Sequence, residues 1–396
     1  MRAIIASACA TLLASCAQPA RTQGPLFERG SSVAVGKGSG KVALIDVNRD
    51  GHLDLVTQHL LDSVVNVHIG DGKGAFVRAG SPIRLAYEPG TMALADVDND
   101  GAVDIGIAFK SDSGEYVAIL RGDGRGNFTH SLGTPVRTSA AMQFYKPILR
   151  LVDVNHDRNI DIVMSNGRRH TIEVLLGDGT GRFTAQPVVR LSGPSQGLSS
   201  FTVGDVDGDG HVDLVATNSL GADLANMNTS RLLTRRGDGK GNFTDSVTST
   251  VPPGAILENL ADVTGDGRLD ALFSHSDRRL VSIAVNSGKG AFTPSVPIEI
   301  GDGAQAFAIL AGDVNADGKS DLITATVQNE VAPFASRVAV FLAGTGGFIP
   351  AAGSPFPAGE GSYNAALGDV NGDGKPDVAS SSFGGKSVTL LVGRAR

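Results

Sequence analysis

Short apolar runs, each stopped by Asp or Gly, recur along most of the chain. In the first set VALID (42–46) enters an acidic loop, LDLVTQ (53–58) leaves it, and VVNVHIG (64–70) follows. Runs of β-branched and apolar residues bounded by turn formers are the signature of strands. A Gly-rich segment then reads as a hairpin turn needing φ > 0. A fourth strand starts near the Phe that closes that segment. No stretch carries a helical period, so the pattern predicts an all-β chain assembled from four-stranded units.

The units repeat. One nonapeptide occurs seven times: DVNRDGHLD from Asp46, DVDNDGAVD from Asp96, DVNHDRNID from Asp153, DVDGDGHVD from Asp205, DVTGDGRLD from Asp262, DVNADGKSD from Asp313 and DVNGDGKPD from Asp369. The copies lie about 54 residues apart. A second mark, Gly-x-Gly-x-Phe, ends at Phe76, Phe128, Phe183, Phe243 and Phe292, and in shortened form at Phe348. Four strands per unit at this period is the arithmetic of a β-propeller, here of seven blades. The last unit stops at VTLLVGRAR without its fourth strand, while Leu26-Phe27 and SVAV (32–35) stand unused at the other end. The N-terminal strand is therefore expected to complete blade seven and close the ring, leaving no open sheet edge.

The nonapeptide also carries chemistry. Acidic or amide side chains at positions 1, 3 and 5 converge when Gly at position 6 permits a sharp turn, and hard oxygens at that density suit Ca²⁺. Three rival readings fail. An EF-hand needs Glu at position 12, where these loops have Thr57, Ile107, Met164, Ala216, Phe273, Thr324 and Ser380. RTX repeats recur every nine residues. A metal-free Asx turn leaves three or four aspartates per loop, 23 in all at positions 1, 3, 5 and 9, unneutralised and repelling one another.

These residues resemble the FG-GAP/VCBS repeats, the calcium-loop propellers typified by the integrin α-subunit head, over residues 27–396. The resemblance implies that positions 1, 3, 5 and 9 and the position-7 carbonyl hold calcium. In the first loop these are Asp46, Asn48, Asp50, His52 and Asp54. They are Asp96, Asp98, Asp100, Ala102 and Asp104 in the second, and Asp153, Asn155, Asp157, Asn159 and Asp161 in the third. The fourth has Asp205, Asp207, Asp209, His211 and Asp213, and the fifth Asp262, Thr264, Asp266, Arg268 and Asp270. The sixth has Asp313, Asn315, Asp317, Lys319 and Asp321, and the seventh Asp369, Asn371, Asp373, Lys375 and Asp377. Up to seven Ca²⁺ are expected. The second and fourth loops, with four carboxylates each, should bind tightest. The third should be weakest, because Arg158 stands where Gly belongs. The Val at position 2 reads as a core peg.

Composition changes the picture in three places. The net charge is −7, which disfavours a generally basic nucleic-acid binder. With the 23 loop aspartates set aside, the remaining 18 acidic side chains face 34 Lys and Arg, a balance of +16. The acidity is thus metal-site acidity. Both cysteines, Cys9 and Cys16, lie in the first 16 residues, so the folded body has no disulfide.

That first segment, MRAIIASACATLLASC, has the layout of a secretory signal. Leu13-Ala14-Ser15-Cys16 resembles the lipobox of bacterial lipoproteins. The expected organisation is a signal at 1–15, lipidation of Cys16, a tether at 17–26 and one propeller at 27–396. Ala17 fits the outer-membrane pattern of such lipoproteins. An ordinary signal cut after Ala10, giving a secreted or periplasmic protein, is the alternative.

Catalysis finds little support. Gly193-Pro194-Ser195-Gln196-Gly197 matches a nucleophile pattern but precedes no helix. The side chains left unexplained sit on the face opposite the metal loops: Tyr87, Tyr145, Arg168, Arg169 and Tyr363, with Lys110, Lys386 and the segment from His275 to Arg279. The reading that follows is a monomeric, exported, non-catalytic module binding a protein or polysaccharide and reaching the membrane only through its anchor. A lectin with repeated sugar sites and a polysaccharide-acting enzyme are the alternatives.

Overall fold

The computed structural model describes residues 24–111, 114–131, 135–139, 147–166, 171–191, 196–218, 220–221, 230–275, 279–295, 297–301, 304–328 and 335–394. These residues form seven antiparallel blades and no helix, so no helix is long and apolar enough to cross a membrane. Blade 1 pairs Ser39–Ile45, Asp54–His59, Val64–Gly70 and Phe76–Arg78 in that order, from the axis outward. The inner strands of blades 2 to 7 are Pro89–Ala95, Leu149–Val152, Ser200–Gly204, Ala255–Ala261, Ala304–Gly312 and Ala365–Gly368. Gln196–Gly197 and Leu220–Gly221 add a two-stranded ribbon.

The second strands are buried along almost their whole length, Asp54–His59 and Asp270–His275 entirely. Each lies between two neighbouring sheets, so both faces are covered, and apolar runs replace the alternation of a one-sided strand. The apolar interior accordingly divides into seven clusters, one at each junction between blades. Val56, Val65 and Val67 of blade 1, for example, pack on Met92, Ile105, Ile107 and Leu120 of blade 2. Among the described residues there is no central core, and the ring is as strong as its junctions.

The position-2 valines are the pegs the sequence implied. Val47, Val97, Val154, Val206, Val263, Val314 and Val370 are all buried. Each belongs to the cluster joining its blade to the next one. Every acidic loop is thereby mechanically coupled to one junction.

Outer strands are less regular. In blade 1 the outer strand is split into Phe76–Arg78 and Ile83–Arg84, both paired with Val64–Gly70. Pro82 lies in the gap, and Pro135, Pro187, Pro297 and Pro355 fall in the corresponding gaps of blades 2, 3, 5 and 6. Proline has no N–H to give a ladder. Blade 4 has no proline there, and its outer strand Phe243–Val251 is unbroken.

The ring closes as expected. Phe27–Ala34 pairs antiparallel with Ser387–Gly393, running from Phe27 opposite Gly393 to Ala34 opposite Ser387. Leu26 and Phe27 also enter the junction of blades 6 and 7, where the Phe27 ring meets Phe356 edge-on at 5.5 Å. The Arg394 N–H donates to the Leu26 carbonyl at 2.9 Å. Truncating a buried Phe costs about 3–5 kcal/mol. Phe27→Ala should therefore lower the melting temperature, and deletion of residues 24–36 should lower it further. Melting curves that match the parent for both variants would contradict closure by this strand.

Candidate metal centres

Each acidic loop is tied by its own aspartates. In loop 1 the Asp46 carboxylate accepts the N–H of Arg49 at 2.7 Å and of Gly51 at 2.9 Å. Asn48 Oδ1 accepts the Asp50 N–H at 3.0 Å, and Asp50 Oδ1 accepts the His52 N–H at 2.8 Å. The chain thus wraps around a point faced by the side chains of positions 1, 3 and 5. Position 6 is left-handed in every loop, from Gly210 at φ 87° to Arg158 at φ 71°. Arg158 still donates its N–H to Asp153 at 2.8 Å, as Gly51 does to Asp46. Loop 3 therefore keeps the fold of the others, at a cost of about 1–2 kcal/mol for an L-residue in that region.

Position 4 is left-handed too, which sequence reading missed: Arg49, Asn99, His156 and Ala316 have φ between 57° and 63°, and Gly208, Gly265 and Gly372 fill the other loops. The signal was the excess of Gly and Asn there. This turn points position 4 toward the next loop of the ring. Arg49 Nη2 donates to the Asp100 carbonyl at 2.9 Å, Asn99 Nδ2 to Asn159 Oδ1 at 2.8 Å, and His156 Nε2 lies 2.9 Å from His211 Nδ1. Loops 1 to 4 are laced in sequence.

The position-9 aspartate is the deepest group. Asp54, Asp104, Asp161, Asp213, Asp270, Asp321 and Asp377 are all 0% exposed. One oxygen of each accepts the N–H of its valine peg, as Asp54 does from Val47 at 2.9 Å. The other accepts an N–H at the end of the third strand, as Asp54 does from Gly70 at 2.8 Å. A Cβ at Gly70 would lie 2.2 Å from the Leu53 carbonyl, so blade 1 needs glycine there, whereas Asn286 and Ala343 make the equivalent bond at 2.9 and 2.8 Å in blades 5 and 6. Burial pushes these carboxyls up, to about 6 at Asp104 and Asp161.

A hard divalent cation fits this donor set. Carboxylate oxygens of Asp96, Asp98 and Asp104 lie within 4.8 Å of one another, as do those of Asp205, Asp207 and Asp209. Asp96 Oδ1 is buried without a hydrogen bond, whereas Asp98 Oδ2 is met by the Arg121 guanidinium. Anionic oxygens gathered at this density, one of them unpartnered, suit a cation of six to eight oxygen ligands.

Two arginines complicate the ranking by carboxylate number. Arg121 forms an ion pair with Asp98, and Arg236 Nε lies 3.1 Å from Asp207. Both occupy the same place, one residue before Gly122 and Gly237. The other five blades have Ile69, Leu176, Val285, Leu342 and Val392 there. Arginine therefore accompanies aspartate at position 3, and an aliphatic side chain accompanies Asn or Thr. The extra carboxylate of loops 2 and 4 comes with its own counter-cation.

The opposite face shows two aromatic groups. Tyr87, 46% exposed, ends a stack with Phe109 and Tyr116 at centroid separations of 5.1 and 5.5 Å. Tyr363, 39% exposed, is flanked edge-on by Phe307 at 4.6 Å and Phe383 at 5.3 Å. Tyr145, Arg168, Arg169 and Ser195 lie outside the described residues, as does Cys16. The Lys110 side chain does too. His59 and His275 are fully buried and bonded to the Lys37 and Pro253 carbonyls, so both are packing groups.

A seven-bladed propeller with an acidic turn under every blade defines a narrow class. The FG-GAP-like repeat matches residues 46–107, 153–216 and 262–324, so the chain carries FG-GAP-like repeats within a seven-bladed β-propeller. No curated protein matches it by sequence. Among solved structures it resembles BBS1N in complex with ARL6DN, at 12% identity, with a TM-score of 0.59 and 94% of this chain and 98% of that one covered. An N-acetylglucosamine-recognising lectin of Agrocybe aegerita gives 17%, 0.52, 91% and 86% for the same measures. A putative 6-phosphogluconolactonase of Bacteroides uniformis gives 13%, 0.52, 89% and 90%. At such identities the likeness is one of fold, and this fold hosts unrelated tasks.

Two expectations follow. In metal-free protein the raised position-9 carboxyls contribute stability below their unfolded pKa, and that contribution is lost as pH rises through about 6. Calcium takes the ionised form, so the melting-temperature gap between calcium-loaded and dialysed protein should widen from pH 5 to pH 7. An equal gap at both would contradict the assignment. A cation held several ångströms from a divalent ion costs about 1–2 kcal/mol even in a watery dielectric. Arg121→Leu should then raise calcium affinity at loop 2 about tenfold while lowering metal-free stability, and titration calorimetry showing no change would refute the pairing.

Proposed function

We propose that this chain is a calcium-stabilised, non-catalytic binding module, exported and held at the cell envelope through lipidated Cys16, whose ligand sits on the face opposite the metal loops. Calcium serves structure. It sets the seven loops, and the loops set the junctions that hold the opposite face rigid. The ligand is a glycan chain or a glycan-bearing protein surface.

The observation that carries this reading is the pair of exposed tyrosines, Tyr87 and Tyr363, each braced by two further rings. An exposed ring held by packed neighbours offers a flat apolar face with a polar tip at little entropic cost, which suits sugar rings. The alternative of an enzyme finds no comparable support: the buried histidines His59 and His275 are bound to backbone carbonyls and small hydroxyls. A glycan array probed with calcium-loaded protein, followed by Tyr363→Ala and Tyr87→Ala, tests the reading. Binding should fall at least about tenfold in one variant with melting temperature unchanged. Binding undiminished in both variants, or turnover of a bound glycan, would overturn it.

A further inference from the structure

Three charged side chains on inner strands belong to alternate blades. Lys41 lies on Ser39–Ile45 of blade 1, Arg150 on Leu149–Val152 of blade 3, and Glu258 on Ala255–Ala261 of blade 5. No two of these blades are neighbours, yet the three charges act on one another. Side chains of blades 1, 3 and 5 can approach only across the axis of the ring. Lys41 is water-exposed although its strand is the innermost of its blade, so the water it meets is that of the axial channel.

The charges do not balance. Arg150 donates to the Phe201 carbonyl at 3.0 Å, the Leu149 carbonyl at 3.0 Å and Thr202 Oγ1 at 3.4 Å, and its guanidinium lies 5.5 Å from the Phe201 ring centroid. These partners are neutral. They orient the guanidinium without cancelling its charge, and N–H groups of the fork remain free. The Lys41 ammonium makes no hydrogen bond or ion pair with another described residue. Glu258, the one anion of the group, accepts a hydrogen bond from Ser274 at 2.6 Å.

The protonation tendencies agree with that geometry. Desolvation by the strands that enclose it, although solvent still reaches it, and then the Arg150 charge hold Lys41 below its ordinary pKa, and only Glu258 opposes them. Burial pushes Glu258 up to about 7, so near neutrality it is a partial counter-ion at best. Two cations share less than one anion in a confined space. Such an imbalance costs folding free energy and is stabilised by a ligand of the missing charge.

We infer that the axial channel is a binding site for an oxyanion, a carboxylate or a tetrahedral anion, held between Lys41 as a point charge and Arg150 as a fork. Arg150, fixed by three bonds, sets the direction of the anion, and Lys41 supplies mobile charge from blade 1. The site is independent of the glycan reading, because it uses neither Tyr87 nor Tyr363.

Titration calorimetry of the full-length protein with sodium glucuronate, sodium sulfate and glucose tests this. Glucuronate or sulfate should bind one to one with Kd below about 1 mM, and neutral glucose should not. Tighter binding of glucuronate assigns a carboxylate ligand, and tighter binding of sulfate a tetrahedral one. Lys41→Met should weaken the anion about tenfold or more and leave the anion-free melting temperature unchanged or higher, since it removes a repulsion. The inference fails if neither anion binds the parent at about 10 mM, if the variant binds as the parent does, or if the variant melts lower without anion. That last result would make Lys41 a structural residue.

Discussion

Seven buried carboxylates organise this molecule. Each position-9 aspartate is fully enclosed, and each holds two backbone N–H groups with its two oxygens. One N–H belongs to the valine peg and the other to the end of the third strand. A buried carboxylate is expensive unless its charge is met. Two hydrogen bonds meet part of that charge, and burial still raises the carboxyls above their ordinary range. The remainder is what a cation in the loop would supply. The same group therefore ties a turn, a junction peg and a candidate metal position into one unit.

Because the apolar interior is divided among seven junctions, order has to pass around a ring. The pegs do this on the core side, each valine entering the cluster shared with the next blade. Position-4 side chains do it on the surface, from Arg49 to Asp100, Asn99 to Asn159 and His156 to His211. In a propeller whose described residues include no cysteine, ring closure by Phe27–Ala34 then removes the last free edge. Local loosening of one loop is felt first at its own junction.

What could be read in the sequence was whatever repeats within one blade. The nonapeptide at Asp46 and its six copies gave blade number, strand order and the buried Val47-type pegs, and the unpaired SVAV segment gave closure. Features arising between blades were illegible, because the partner lies about one repeat away and no local period marks it. Arg121 reads as an ordinary strand arginine until Asp98 is beside it. Lys41 and Arg150 lie more than 100 residues apart in sequence and meet only through ring geometry. The split outer strands were also missed, although Pro82 and its counterparts announced them. For Tyr87 and Tyr363 the sequence marked exposure, but their supporting rings Phe109, Phe307 and Phe383 come from other strands and loops.

Native mass spectrometry of the dialysed, full-length protein, titrated with calcium while its melting is followed, bears most directly on the central claim. Cation-filled loops predict stepwise uptake of several calcium ions, up to seven, with the melting temperature rising as they bind. A protein that takes up no calcium and melts at one temperature throughout the titration would contradict it, and would leave the buried aspartates as hydrogen-bonded turns alone.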